Sequence, residues 1–129
     1  MSFDRGVLIV LALFVLVAGL ASFASPASLA QQAGWSATPG GLTEIRAFYG
    51  GLQVGLGCFL VWCARRRERL LSGLLVAGFA VGGIGIARVF GLFLDQTPTA
   101  YHLANLAVEI ATVALVAVAV SRHRKHANT

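Results

Sequence analysis

The chain has 129 residues, of which 57% are hydrophobic and 12% charged, with a net charge of +5 and a mean hydropathy of +0.80. Soluble domains are about 25% charged, so this composition excludes an ordinary soluble domain and marks an integral membrane protein, 1–129 forming a single membrane domain. The positive charge does not suggest nucleic acid as a partner, because the basic residues gather in two short clusters beside apolar runs, Arg65 to Arg69 and Arg122 to Lys125. Clusters so placed mark the cytoplasmic ends of membrane helices and offer contacts to anionic lipid headgroups.

Four apolar segments follow in order, predicting helices over about 6–25, 43–64, 69–94 and 98–122. Each is close to the ~20 residues that cross a ~30 Å hydrocarbon layer. A backbone in lipid must satisfy its hydrogen bonds within the segment, so each run reads as a helix. The fold expected is an all-α, integral membrane four-helix bundle. Ser28-Leu29-Ala30 before Gln31 is similar to a signal-peptidase site. The apolar stretch before it, about 18 residues, exceeds the usual 7–15 and favours a retained first helix.

Loop charges set the expected direction. Arg5, the four arginines of the second loop, and Arg122, Arg124 and Lys125 all fall on one side, whereas the first and third loops carry no Lys or Arg. Both termini are therefore expected in the cytoplasm, N-in and C-in. Ser25-Pro26 ends the first helix. Thr43 is a candidate cap for the second, and Thr97-Pro98 for the fourth. A short interfacial helix is expected around Ser28 to Trp35.

Small residues let membrane helices approach closely. Gly51 and Gly55, and Gly78 and Gly82, stand at G-x-x-x-G spacing and are expected in helix seams inside the bundle. At 100° per residue, Tyr101, His102, Asn105, Glu109 and Thr112 form one polar stripe on the last helix. Arg46, Tyr49, Gly50, Gln53 and Gly57 share a face of the second helix, opposite Glu44, Phe48, Gly51 and Gly55. Arg88 is the only charge in the third span before Asp95, with Gly78, Val81 and Gly85 on its side.

Glu109 is the focus. A carboxylate at mid-bilayer costs about 2.5–3.5 kcal/mol even on lenient scales, so it must be neutral, paired or facing water. Glu44, Arg46, Tyr49, Gln53, Arg88, Asp95, His102, Asn105 and Glu109 converge on the outer half of the bundle as a candidate binding or polar cluster. Glu109 is expected to pair with Arg46 or Arg88, with Gln53 and Asn105 taking the remaining hydrogen bonds.

The string Glu44-Ile45-Arg46-Ala47-Phe48-Tyr49-Gly50-Gly51-Leu52-Gln53-Val54-Gly55-Leu56-Gly57 resembles the hallmark of a family of small bacterial membrane proteins catalogued as domain of unknown function 4345. So do Ala87-Arg88-Val89-Phe90-Gly91-Leu92 with Asp95, and Glu109. The chain has Asp95-Gln96 where the resemblance leads one to expect Asp-Gly. The resemblance implies four transmembrane helices in a bacterial inner (cytoplasmic) membrane and assigns no activity. The architecture is more distantly similar to DoxX-like proteins, some of which assist quinone-linked oxidoreductases.

Two readings of the cluster stay open: a polar knot that fixes helix register, or a pocket open to the outer leaflet. A proton path from Glu109 would need further acceptors, and below Thr112 the last helix offers only Ser121. Cys58 and Cys63 read as buried small hydrophobes, Asp4 and Glu68 as interfacial charges, and His123 and His126 as a solvated tail. His102 lacks companions for a metal site, no catalytic residues are identified, and no cofactor is implied beyond quinone as an alternative. The function expected is a lipid-binding or small-ligand-binding module or an accessory subunit of a membrane complex. The alternatives are a subunit assisting a quinone-linked enzyme and an oligomeric small transporter. Partners expected are membrane lipids, with other membrane subunits or further copies of the chain as alternatives.

Overall fold

The computed structural model describes residues 2–96 and 98–127, with side chains as far as Lys125. Helix α1 (Phe3–Ala24) is followed by the short α2 (Pro26–Ala33) and α3 (Pro39–Glu44), a π-helical segment (Ile45–Gly51), α4 (Leu52–Ala64), α5 (Leu70–Asp95) and α6 (Ala100–Ala127). No strand occurs among the described residues. Four rods are long and apolar enough to cross a bilayer: Phe3–Ala24, Pro39–Ala64, Arg67–Asp95 and Ala100–Lys125. In each, 28% or less of the most apolar window is buried. Phe79 and Phe93 are each 80% exposed. An apolar exterior of this kind suits hydrocarbon and not water, so the molecule is a multi-pass membrane bundle.

Local chemistry sets the ends. Gly34 adopts φ +72° to close α2, where its missing β-carbon makes the left-handed turn free of strain. Pro39 stands at the first position of α3, and the Thr38 hydroxyl accepts from the Gly41 N–H at 3.1 Å. The cap is thus Thr38 and not Thr43, whose hydroxyl donates back to the Pro39 carbonyl. The second rod therefore begins earlier than hydropathy suggests. Thr97 lies outside the described residues; α6 starts at Ala100, and Thr99 Oγ1 accepts from the His102 N–H. Helix α2 matches the interfacial turn anticipated near Ser28 to Trp35, shifted by about two residues towards Pro26.

The rods associate as two hairpins, α1 with the α4 rod and α5 with α6. In the first seam a β-carbon at Gly57 would lie 2.5 Å from Leu16 Cγ, and at Gly50 2.9 Å from Phe23 Cβ. In the second, a β-carbon at Gly78 would lie 3.0 Å from Val116 Cγ1, and Gly82 faces Val113. Gly51 and Gly55 are a correction. Both are exposed, and Gly55 has nothing within 4 Å of its β-position. Their spacing is right, but it falls on the outer face, while Gly19, Gly50 and Gly57 make the contact.

The hairpins meet through a core of Leu8, Leu11, Leu60, Cys63, Leu74 and their neighbours, all near the end that carries both chain termini. Asp4 and His123 pair there, tying the first helix to the last. His123 overturns the expectation of a solvated tail, its side chain being 17% exposed, and Asp4, expected as an interfacial charge, is paired and 11% exposed. His126 lies outside the described side chains. Cys58 is a further correction: it is exposed on the outer face, and only Cys63 is buried.

Candidate functional site

Away from that core the hairpins part, and a cavity of about 280 Å³ lies between them. Each long helix lines it with a stripe at helical spacing. From α1 come Leu11, Val15, Ala18 and Ser22; from the α4 rod, Tyr49, Gln53, Leu56 and Leu60. From α5 come Ala77, Val81, Ile84 and Arg88; from α6, Tyr101, Asn105, Glu109 and Thr112. Every stripe runs in steps of three and four residues, the spacing that keeps one helix face turned to one place.

Arg88 and Glu109 sit at the polar end. Arg88 Nε donates to Glu109 Oε1 at 3.0 Å and to Oε2 at 3.1 Å, and Nη2 donates to Oε1 at 2.8 Å. Planar guanidinium and planar carboxylate meet in a two-pronged arrangement, the strongest form of this contact. The side chains are 21% and 11% exposed. The α5–α6 seam makes the approach close: Gly85 sits opposite Glu109, with its β-position 3.5 Å from Glu109 Cβ.

The other anticipated residues divide. Tyr49, Gln53 and Asn105 line the cavity with the ion pair. Asn105 donates to the Tyr101 carbonyl of its own helix at 2.8 Å, not to Glu109. The Gln53 amide makes no hydrogen bond to the described residues, so neither residue completes the ion pair as anticipated. His102 lies outside the cavity wall and pairs through Nδ1 with Thr99 Oγ1 at 2.9 Å. Glu44, Arg46 and Asp95 are exposed and do not line the cavity.

Arg46 is displaced for a physical reason. It lies in the π-helical segment, whose hydrogen bonds run from i to i+5. The wider turns rotate upstream residues away from the positions that 100° per residue assigns. Tyr49, in the same segment, does face the cavity, and its ring packs against Trp35 with centroids 5.3 Å apart. Tyr101, Thr112 and Ser22 also line it without having been singled out as site residues. The signal for Ser22 was its position in step with Leu11, Val15 and Ala18 on an otherwise apolar helix.

The string from Glu44 to Gly51 thus coincides with an unusual backbone segment, and Arg88 and Glu109 with the charged end of a cavity. One family model, described as Domain of unknown function (DUF4345), matches residues 3–120. The chain belongs to this family. The match spans the first three membrane rods, the fourth as far as residue 120, and every cavity-lining residue. Neither a curated protein nor a solved structure matches the chain. The more distant DoxX-like relationship is not shown by these comparisons.

Proposed function

We propose that this family member is a non-enzymatic membrane module that binds a lipid or small ligand between its two hairpins, in a bacterial inner membrane with both termini in the cytoplasm. One observation carries the reading: the Arg88–Glu109 pair borders an apolar-walled cavity instead of being sealed between packed helices. A purely structural knot is stabilised by exclusion of everything else, and small-ligand sites combine apolar walls with a few convergent polar groups in this way. The orientation rests on eight of the ten Lys and Arg residues lying at the end that carries the termini.

Native mass spectrometry of protein released under mild conditions tests the reading. The native chain should carry a bound small molecule that is lost in the paired variant Arg88→Leu with Glu109→Leu. A native chain that carries nothing, or an adduct retained by that variant, defeats it.

A further inference from the structure

The ligand class follows from what the cavity wall leaves unspent. The long stripes place Tyr49 and Arg88 eleven residues from Leu60 and Ala77, about 16 Å at 1.5 Å per residue. The Arg88 end carries the charged and amide groups, and the far end, at Leu11, Leu60 and Ala77, is hydrocarbon. An occupant that matches this wall has a polar head and an apolar tail.

The head carries no net charge. Arg88 and Glu109 neutralise each other at the site. An anionic head would face the Glu109 carboxylate and a cationic head the guanidinium, each at a loss in a low-dielectric setting. The head must nevertheless form hydrogen bonds in both senses. Arg88 commits its Nε–H and one Nη2–H to Glu109, which leaves three of a guanidinium's five donors. The Gln53 amide, which both donates and accepts, faces the cavity without a partner among the described residues. Polar groups at membrane depth are costly when unpaired. A hydroxyl or glycerol head, able to accept from Arg88 and to exchange bonds with Gln53, satisfies both. The cavity, about 280 Å³, lies just below the ~300–1,000 Å³ range of ligand pockets, room for one short chain and not two.

We infer that the Arg88–Glu109 cavity takes a single-tailed amphiphile with an uncharged, hydroxyl-bearing head. This rests on the proposed binding function and narrows it. The test uses the full chain in phosphatidylcholine nanodiscs, where no non-ionic detergent competes. The probes are radiolabelled 1-monodecanoylglycerol and geraniol, with decanoate and decylamine as charged counterparts. At least one uncharged probe should bind saturably, one molecule per chain, with acyl or prenyl preference naming the tail. The charged probes should bind at least about tenfold more weakly, roughly 1.4 kcal/mol. Ala80 also lines the cavity, one turn from Ala77; Ala80→Phe, which fills the tail region, should abolish binding, and Gln53→Leu should weaken it, both without loss of the folded melting transition. Equal binding of decanoate or decylamine overturns the head assignment, and full binding by Ala80→Phe overturns the placement of the tail. In both cases the wider binding reading survives. Saturable binding of no probe, together with a native mass spectrum free of adducts, overturns both readings.

Discussion

Arg88 holds Glu109 by both carboxylate oxygens, with contacts of 2.8 to 3.1 Å across the α5–α6 seam. Two residues 21 positions apart in sequence thereby close one charge within the membrane region. The pair explains how the fold tolerates an acid in an apolar helix.

Loss of one partner should be far worse than loss of both. Glu109→Ala leaves the guanidinium without its counter-charge. Breaking a buried pair in this way costs about 3–5 kcal/mol, with the lower figure expected because Arg88 keeps 21% exposure. Replacing both residues by leucine removes the stranded charge and should restore most of the stability. Thermal melting in a mild detergent measures the difference; equal melting of Glu109→Ala and the parent would show that the pair contributes nothing.

The α1–α4 seam should reject side chains at Gly57 and accept them at Gly55. A β-carbon at Gly57 would meet Leu16 Cγ at 2.5 Å and the Leu16 backbone nitrogen at 3.1 Å. Gly57→Val should therefore destabilise by about 1–3 kcal/mol through overpacking. Gly55 faces open space, and Gly55→Ala should be neutral or gain up to about 1 kcal/mol of helix propensity. A reversed order of melting temperatures would move the functional seam to the exterior glycines.

Gln96 is the one described non-glycine residue at positive φ, +48°. It caps α5 in the left-handed region, where a β-carbon costs roughly 1–2 kcal/mol. Gln96→Gly relieves that strain and loses part of the gain to the greater freedom of the unfolded chain. A net stabilisation of about 0.5–1 kcal/mol is expected by melting. A lower melting temperature would mean that the Gln96 side chain supports the turn.

At the opposite end, Asp4 accepts from the Arg5 N–H at 3.0 Å and pairs with His123. Asp4→Ala removes both contacts and should cost about 1–3 kcal/mol. The same substitution in a His123→Ala background should cost clearly less. Additive losses would show that the two side chains act independently.

Much of this arrangement was legible from residue order. Hydropathy located the rods because a bilayer allows few alternatives to a helix for such runs. The stripes on α5 and α6 were readable because both helices are regular, so that Arg88, Asn105 and Glu109 point where 100° per residue puts them. The α4 rod was readable from Tyr49 onward, where Tyr49 and Gln53 line the cavity and Gly50 and Gly57 meet α1. Upstream, the π-helical segment has no compositional signature, and Arg46 lands outside the site. Pairing by glycine spacing also failed for Gly51 and Gly55, since spacing identifies a smooth face without saying which neighbour covers it. Burial of Asp4 and His123 was not readable either, because it depends on the first and last helices meeting.

That meeting has a topological consequence. With the first and last helices fastened side by side, a short linker can join the old ends, and the chain can be reopened at Arg66, whose extended backbone separates the two hairpins. The resulting circular permutant swaps the order of the hairpins and keeps every rod on its original heading, because the new termini emerge at the same end of the bundle as the old ones.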